Sequence, residues 1–120
     1  MKALLIIAHG SRKQSSNAEV ESLAKAVSKL PSGFKLVEHA FLELTHPKVP
    51  EGIESLVSRG ATDVIILPYF LAAGYHVVDD LPKLLTAAHA RHPGISFNLL
   101  KHLGAADLMP NWILQESDKA

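Results

Sequence analysis

The stretch that decides the fold is Ala3-Leu4-Leu5-Ile6-Ile7-Ala8, followed at once by His9-Gly10-Ser11-Arg12. An apolar run without alternation is typical of a β-strand buried on both faces, as in a parallel sheet covered by helices on both sides. Two further runs have the same character, the second more weakly: Asp63–Leu67 and Ile95–Leu100. A fourth segment, Phe34–Leu42, mixes charged and apolar residues, which suits an edge strand.

The segments between these runs have the apolar periodicity of helices. A first helix is predicted after the cap region Ser15-Ser16-Asn17, ending at Pro31-Ser32-Gly33. A second has its apolar stripe between Val49 and Val57, with Gly60 at the expected position just past its end. A third is opened by Asp79-Asp80 and closed by His92-Pro93-Gly94. The last helix is predicted over Ala105–Ser117, with three residues facing inward: Leu108, Trp112 and Ile113.

The alternation of strands and helices predicts a three-layer α/β/α fold with a four-stranded parallel sheet in the order 2-1-3-4. Nothing in the chain divides it, so residues 1–120 are expected to form a single domain. Ligands bind beyond the carboxyl ends of the strands in such a sheet, where the strand order reverses. The candidate site therefore lies in the loops that follow the strands.

Composition excludes several classes of protein. Twelve basic and twelve acidic side chains balance, so no overall field attracts nucleic acid or an anionic membrane. Cysteine is absent, which excludes disulfides, thiolate metal sites and a cysteine nucleophile. The first apolar run is too short to cross a bilayer and has no signal-peptide cleavage site. We therefore expect a cytoplasmic protein that binds neither nucleic acid nor membrane.

Four of the seven histidines fall in the loops after predicted strands: His9, His46, His76 and His102. The turn at His9 lacks the glycines of a dinucleotide-binding turn and the Gly-Lys-Ser/Thr of a P-loop, which disfavours nucleotide binding. Ser11 lacks the glycine frame of a nucleophile elbow, so a capping or turn serine is the preferred interpretation.

The predicted topology can bring His9 and His76 together. Strands one and three are neighbours in the order 2-1-3-4, about 4.8 Å apart, so their loops converge on one cleft. Gly74 allows a sharp turn within the long loop Pro68–Asp80 that carries His76. Neutral imidazole binds Co²⁺, Ni²⁺ and Fe²⁺ and accepts protons near neutral pH. A pair of histidines without cysteine predicts transient handling of a metal, and a structural role for either ring stays open.

Three segments together resemble the small sirohydrochlorin cobaltochelatase family, the short form of the class II chelatases. They are AHGSR (Ala8–Arg12), FLE (Phe41–Glu43) and PYFLAAGYHVVDDLP (Pro68–Pro82). The resemblance implies a chelatase-like fold, in which this chain corresponds to one flavodoxin-like lobe of a two-lobe unit. It implies a lyase that inserts a divalent metal into sirohydrochlorin without ATP. Insertion of Co²⁺ would serve cobalamin biosynthesis and insertion of Fe²⁺ would serve sirohaem biosynthesis, and Ni²⁺ is also possible. Longer relatives carry two lobes in one chain, so the resemblance also implies a homodimer.

The resemblance implies roles for individual residues. His9 and His76 would be the catalytic pair that binds the metal and accepts protons, and Glu43 would relay protons or bind the hydrated metal. The metal is a substrate, and no permanently bound cofactor is implied. Contacts to the tetrapyrrole are expected from Ser11, Arg12, Tyr69, Phe70, Leu71, Gly74 and Tyr75. A basic rim for the substrate carboxylates is expected from Arg12, Lys13, Lys48, Lys83 and Lys101.

Two other functions stay open. A non-catalytic carrier of tetrapyrrole or metal could have the same fold without turnover. A phosphate-transferring histidine enzyme would use His9 alone, although the residue before it is Ala8 and not the arginine of histidine phosphatases. Trp112 is interpreted as a core or dimer contact, and Glu43 could be an exposed loop residue with no function.

Overall fold

The computed structural model describes the backbone of residues 1–120 and every side chain except that of residue 76. Four parallel strands form one sheet in the order β2-β1-β3-β4, which confirms the predicted fold class and strand order. The strands are β1 (Lys2–Ala8), β2 (Leu36–Phe41), β3 (Asp63–Pro68) and β4 (Ser96–Leu99). The helices are α1 (Gln14–Ser28), α2 (Val49–Ser58), α3 (Leu81–Arg91) and α4 (Met109–Ser117).

β1 lies at the centre of the core because helices cover both of its faces. Leu5 and Ile7 are buried in the cluster formed with α2 and α3, and Leu4 and Ile6 in the cluster formed with α1. Fully burying one such side chain stabilises the fold by about 1.5–3 kcal/mol. The last residues of β1 are therefore held firmly, and so is the point where the chain leaves the sheet at His9.

Two helix starts differ from those predicted. α1 begins at Gln14, so the segment Ser15–Asn17 lies inside the helix and does not cap it. A single π-helical turn, His76–Asp80, runs directly into α3, so Asp79 and Asp80 belong to a helical turn. Polar residues at a helix start resemble caps in sequence, and only the backbone hydrogen bonds separate a cap from the first helical turn.

The prediction of a sheet covered on both faces is wrong for its β4 side. Register places Ile65 and Leu67 of β3 and Asn98 of β4 on the same face as α1. Asn98 is exposed there, and Ile65 and Leu67 are only half-buried. Ile65 and Leu67 still pack against the cluster that contains Ala24 of α1, so the cover of this face ends at β4.

The last helix is also placed differently from the prediction. It begins at Met109, and Ala105 lies in a preceding 3₁₀ turn, Leu103–Ala105. None of its residues is buried, so Leu108, Trp112 and Ile113 do not face inward and Trp112 is not a core residue. An apolar stripe shows that a helix has a partner surface, but not that the surface lies in the same chain.

Among the residues described, no helix combines the length and the apolar character that crossing a bilayer requires.

Candidate active site

His9 and Glu43 meet because the β1–β2 ladder continues past the ends of both strands. The Leu42 N–H donates to the Ala8 carbonyl, and the Glu43 N–H donates to the His9 carbonyl, each at 3.0 Å. This pairing sets the two side chains next to each other, with His9 Nε2 at 3.0 Å from Glu43 Oε1. Both side chains are about half exposed to solvent. The structure thus brings His9 together with Glu43, from the loops after β1 and β2, whereas the predicted pair was His9 with His76.

The geometry of these two side chains suits the holding of a proton. His9 Nδ1 is 2.9 Å from the Gly10 carbonyl oxygen, which only accepts, so Nδ1 carries a hydrogen and donates it. In a neutral ring Nε2 then has only a lone pair, and an ionised carboxylate has no hydrogen to offer it. Nε2 and Oε1, 3.0 Å apart, are therefore placed to hold a proton between them.

Gly10 lets the two loops approach this closely. Its φ is +97°, and a β-carbon built on it would lie 1.9 Å from the Glu43 carbonyl oxygen. Any side chain at this position would push away the backbone that carries Glu43.

Gly10→Ala is expected to destabilise the fold and to separate His9 from Glu43. The backbone conformation alone costs about 1–3 kcal/mol for a residue with a β-carbon, and the contact with Glu43 adds to it. Thermal unfolding and metal-insertion rate should both be measured, with Gly33→Ala as the control because nothing lies within 4 Å of its added carbon. A variant at position 10 that behaves like the control would contradict the proposed packing.

Asn17 holds the loop after His9 in place, and sequence analysis missed it. Its side chain is buried, accepts the Ser11 N–H at 2.9 Å and donates to the Ser11 carbonyl at 2.7 Å. The sequence did indicate that Asn17 is buried, because it lies on the same helical stripe as Val20 and Ala24, three and seven residues before them. A polar residue on a buried stripe indicates a specific partner.

Asn17→Leu is expected to lower the free energy of unfolding by about 1–3 kcal/mol, since it keeps the volume and leaves the Ser11 backbone without its partner. Denaturant unfolding measures this, with Asn111→Leu on an exposed helix position as the control. We also expect slower metal insertion, because the same loop carries His9. An unchanged midpoint of unfolding would show that Asn17 does not hold the loop.

A cleft of about 290 Å³ opens beside Glu43, on the side of α3. Its lining is Leu42, Glu43, Asp80, Lys83 and Leu84. Asp80, which sequence analysis placed at the start of the third helix, thus lines the same cleft as Glu43, at the end of the turn that begins at residue 76. The cleft offers carboxylate oxygens beside an ammonium group, which suits a hydrated cation entering next to a substrate that carries carboxylates.

The third loop reaches the same end of the sheet. The Tyr69 N–H donates to the Ile7 carbonyl at 2.7 Å, so this loop leaves the sheet beside β1. Tyr69, Leu71 and Tyr75 are exposed, which leaves their apolar surface available to a flat ligand, and Phe70 packs against the core. Gly74 is exposed as well. The side chain of His76, predicted as the second metal ligand, lies outside the described residues.

The remaining predicted contacts lie on the rim or in the turns. Ser11 Oγ accepts the Lys13 N–H at 3.0 Å, which fits the turn-serine interpretation. Arg12, Lys13 and Lys83 are exposed, Lys48 is half-exposed, and Lys101 forms a loose ion pair with Asp107 at 3.9 Å.

Another histidine near the site has a structural role. His46 Nδ1 lies 2.7 Å from Glu51 Oε1, which also accepts the Lys48 N–H at 2.9 Å at the start of α2. The backbone hydrogen bond from Lys48, followed by the one with His46, lowers the pKa of Glu51. Among the side chains that the structure describes, no three His, Asp or Glu residues are grouped closely enough to hold a metal ion.

Comparison with known proteins identifies relatives over nearly the whole chain. A model of the CbiX family matches residues 3–120. The chain is 34% identical over 106 residues to the chloroplastic sirohydrochlorin ferrochelatase of Arabidopsis thaliana, covering 88% of this chain and 47% of that protein. It is 35% identical over 92 residues to the sirohydrochlorin cobaltochelatase of Methanocaldococcus jannaschii, covering 77% of this chain and 64% of that one. The chain thus spans about half to two thirds of the length of these relatives.

Solved structures share the architecture. A CbiX protein from Marinobacter aquaeolei superposes with a TM-score of 0.77 at 22% identity, over the full length of both chains. The sirohydrochlorin chelatase SirB from Bacillus subtilis subspecies spizizenii, in complex with cobalt, superposes with a TM-score of 0.76 at 26% identity. That match covers 98% of this chain and 50% of the other, so the whole domain described here corresponds to half of a longer chain.

Proposed function

Because the chain belongs to the CbiX family, we propose that it is a lyase that inserts a divalent metal ion into sirohydrochlorin without ATP. Co²⁺ is the first choice of metal, and Fe²⁺ or Ni²⁺ are alternatives. The observation that carries the proposal is the contact of His9 Nε2 with Glu43 Oε1 at 3.0 Å at the carboxyl end of the sheet. The relatives named as sirohydrochlorin cobaltochelatase and ferrochelatase support the choice of substrate.

Metal insertion is a balanced exchange of one ion for two protons. The free macrocycle carries two pyrrole N–H protons, and both leave when the metal takes four nitrogen ligands. The protein must therefore replace part of the hydration shell of the ion and accept two protons. No electron transfer and no hydrolysis of a cosubstrate enter this balance.

His9 and Glu43 suit this exchange because Nε2 and Oε1 are close enough to share a proton. A metal ion that approaches Nε2 needs the lone pair on that nitrogen, so the shared proton leaves through the half-exposed Glu43 to water. The emptied pair can then accept a proton from one pyrrole nitrogen. The bond from Nδ1 to the Gly10 carbonyl keeps the ring orientation fixed, with Nε2 toward the Glu43 carboxylate.

His76 is proposed as the second metal-binding and proton-accepting residue. Two pyrrole protons call for two acceptors, and the turn His76–Asp80 starts α3 beside the cleft that Glu43 lines. Tyr69, Leu71 and Tyr75 are proposed to contact the macrocycle face, with Phe70 supporting them from the core side, and Gly74 to let the loop turn.

The substrate carboxylates are proposed to pair with the basic rim and the first loop. Arg12 is exposed directly after the turn at Ser11, and Lys83 lies in the cleft itself. Arginine and lysine form charge-assisted hydrogen bonds with carboxylates, so the rim can orient the substrate although the whole chain has no net charge. Lys13, Lys48 and Lys101 complete the rim.

We further propose that two copies of the chain form the enzyme, in the cytoplasm and without nucleic acid or membrane. A tetrapyrrole is broad compared with one lobe of this size. The match to half of the longer SirB chain supports a second lobe in the active form.

An anaerobic absorbance assay of sirohydrochlorin with Co²⁺, Fe²⁺ and Ni²⁺ in turn tests the function. With substrate in large excess over protein, we expect continued metal insertion over many equivalents per site, fastest with Co²⁺. Product formation that stops at one equivalent would identify a carrier. Phosphorylation of His9 without any metal insertion would identify a phosphate-transferring enzyme instead.

A further inference from the structure

Leu44 has a backbone conformation that leucine normally avoids. Its φ is +72°, and among residues 1–120, whose backbone the structure describes, it is the only residue other than glycine with a positive φ. A residue with a β-carbon is strained in this left-handed region, where glycine or asparagine is the usual choice. On the neighbouring loop the chain does use a glycine for a positive φ, at Gly10. The backbone therefore does not explain why position 44 is a leucine.

The turn at Leu44 is imposed by the way the loop after β2 closes. The Glu43 N–H donates to the His9 carbonyl at 3.0 Å, which keeps the chain beside β1 up to that point. The Phe41 N–H donates to the Pro47 carbonyl at 2.8 Å, so the chain has already returned to the end of β2 there. The chain must therefore turn back between Glu43 and Pro47, and position 44 has to turn sharply whichever residue occupies it.

Burial does not explain the leucine either, because Leu44 is 47% exposed. Single exposed leucines are common where the backbone is unstrained, and Leu30, 65% exposed just past the end of α1, is an example. At position 44 an exposed apolar side chain is combined with a strained backbone, and asparagine would avoid both disadvantages. Strained residues are concentrated at active sites and ligand clamps, so this combination indicates a side chain that binds something.

Leu44 lies beside the proposed reaction centre. It follows Glu43 directly, and consecutive Cα atoms are about 3.8 Å apart. Glu43 Oε1 is in turn 3.0 Å from His9 Nε2. Position 44 is therefore within reach of a ligand as broad as a tetrapyrrole that is centred on this contact.

Apolar side chains occur on both sides of the loop that carries His9. In the strand order β2-β1-β3-β4, this loop has the loop of Leu44 on one side and the third loop on the other. The third loop is held by the loop after β4, because the Gly104 N–H donates to the Phe70 carbonyl at 2.9 Å. It carries the exposed side chains of Tyr69, Leu71 and Tyr75. A flat macrocycle bound over His9 would thus find exposed apolar surface on two loops.

We propose that Leu44 contacts the tetrapyrrole, and that this contact is the reason for a leucine at a strained position. The inference rests on the proposed function and adds a substrate-contacting residue on the β2 side of the site. Burial of the exposed part of the side chain against the macrocycle adds to the affinity. Leu44 has no group that exchanges protons, so the contact is the same before and during metal insertion. It therefore lowers KM for the tetrapyrrole and leaves kcat unchanged.

Binding of metal-free sirohydrochlorin tests the inference, measured anaerobically from the change in its absorbance with no metal added. For Leu44→Asn we expect the dissociation constant to rise at least about fivefold, because the apolar contact is lost. The unfolding midpoint should stay the same or rise, since asparagine tolerates the left-handed conformation. In the insertion assay KM for sirohydrochlorin should rise by a similar factor, with kcat within about twofold of that of the unmodified chain.

Two control variants accompany this change. Leu44→Met keeps an apolar side chain of similar size at the strained position and should bind sirohydrochlorin within about twofold of the unmodified chain. Leu30→Asn removes an exposed leucine at the opposite end of the sheet, where α1 ends and the chain enters β2. It should leave the dissociation constant unchanged.

An unchanged dissociation constant for Leu44→Asn would overturn the inference. Weaker binding together with a lower unfolding midpoint would also overturn it, because that pattern indicates a structural role for Leu44. Failure of the proposed reaction gives a different result, in which the unmodified chain binds sirohydrochlorin but inserts no metal, and the binding data for Leu44→Asn still decide the role of Leu44. An unmodified chain that does not bind sirohydrochlorin would contradict both.

Discussion

Replacing His9 by alanine is expected to lower the initial rate of metal insertion at least about a hundredfold, the usual effect of losing a positioned acid–base group. In the proposed reaction the ring of His9 supplies Nε2 to the metal ion and takes part in proton transfer with Glu43, which lies 3.0 Å away. Alanine removes both functions and leaves the carboxylate without its partner. The rate should be followed by absorbance with Co²⁺ and sirohydrochlorin under anaerobic conditions.

His89→Ala is the matched control for this change. His89 is exposed on α3. Its ring makes an edge contact with the ring of Phe97, with 6.2 Å between the two centroids. We expect its rate within about twofold of the unmodified chain and a similar unfolding temperature for both variants. A His9→Ala protein that is folded and nearly as fast as the control would remove the basis for the proposed site.

His76→Ala is expected to lower the rate to a similar extent, at least about a hundredfold. The reason is the proton balance, since two pyrrole protons need a second acceptor besides the His9–Glu43 pair. Alanine is a strong helix former, so the turn His76–Asp80 and α3 behind it should stay folded. Circular dichroism checks the fold, and the absorbance assay measures the rate.

This second variant also separates the proposed reaction from the phosphate-transferring alternative. An enzyme that used His9 alone as a phosphate acceptor would be indifferent to position 76. Full metal insertion by the His76→Ala protein would therefore show that one histidine suffices and that the proposed pair is wrong.

The sequence predicted the sheet well because buried parallel strands have a strong signal. Ala3–Ala8 is apolar on both faces, and only a central strand with helices on both sides can accommodate that pattern. The strand order predicted that the loops with His9 and His76 would meet, while the contact that the structure shows is between His9 and Glu43, a residue that only the family resemblance had indicated. The approach of Nε2 to the Glu43 carboxylate could not be predicted, because it depends on the direction of the His9 ring relative to the Gly10 carbonyl.

The predictions that went wrong concern surfaces, whose partners the periodicity does not specify. The apolar residues Leu108, Trp112 and Ile113 were expected to face inward, but the contact of Gly104 with the third loop directs α4 outward. The exposed Ser96 and Asn98 did carry a signal, since polar residues at alternate positions of β4 indicate one open face. Asn17 was missed because asparagine near a helix start usually indicates a cap.

A double-mutant cycle on His9 and Glu43 tests most directly whether these two side chains handle the proton as one unit. The rates of His9→Ala, Glu43→Gln and the double variant are compared with that of the unmodified chain. If the pair shares one proton, the double variant should be about as slow as His9→Ala alone, because removing one partner already abolishes the function of the other. Losses that multiply in the double variant would show that the two residues act independently and would contradict the account.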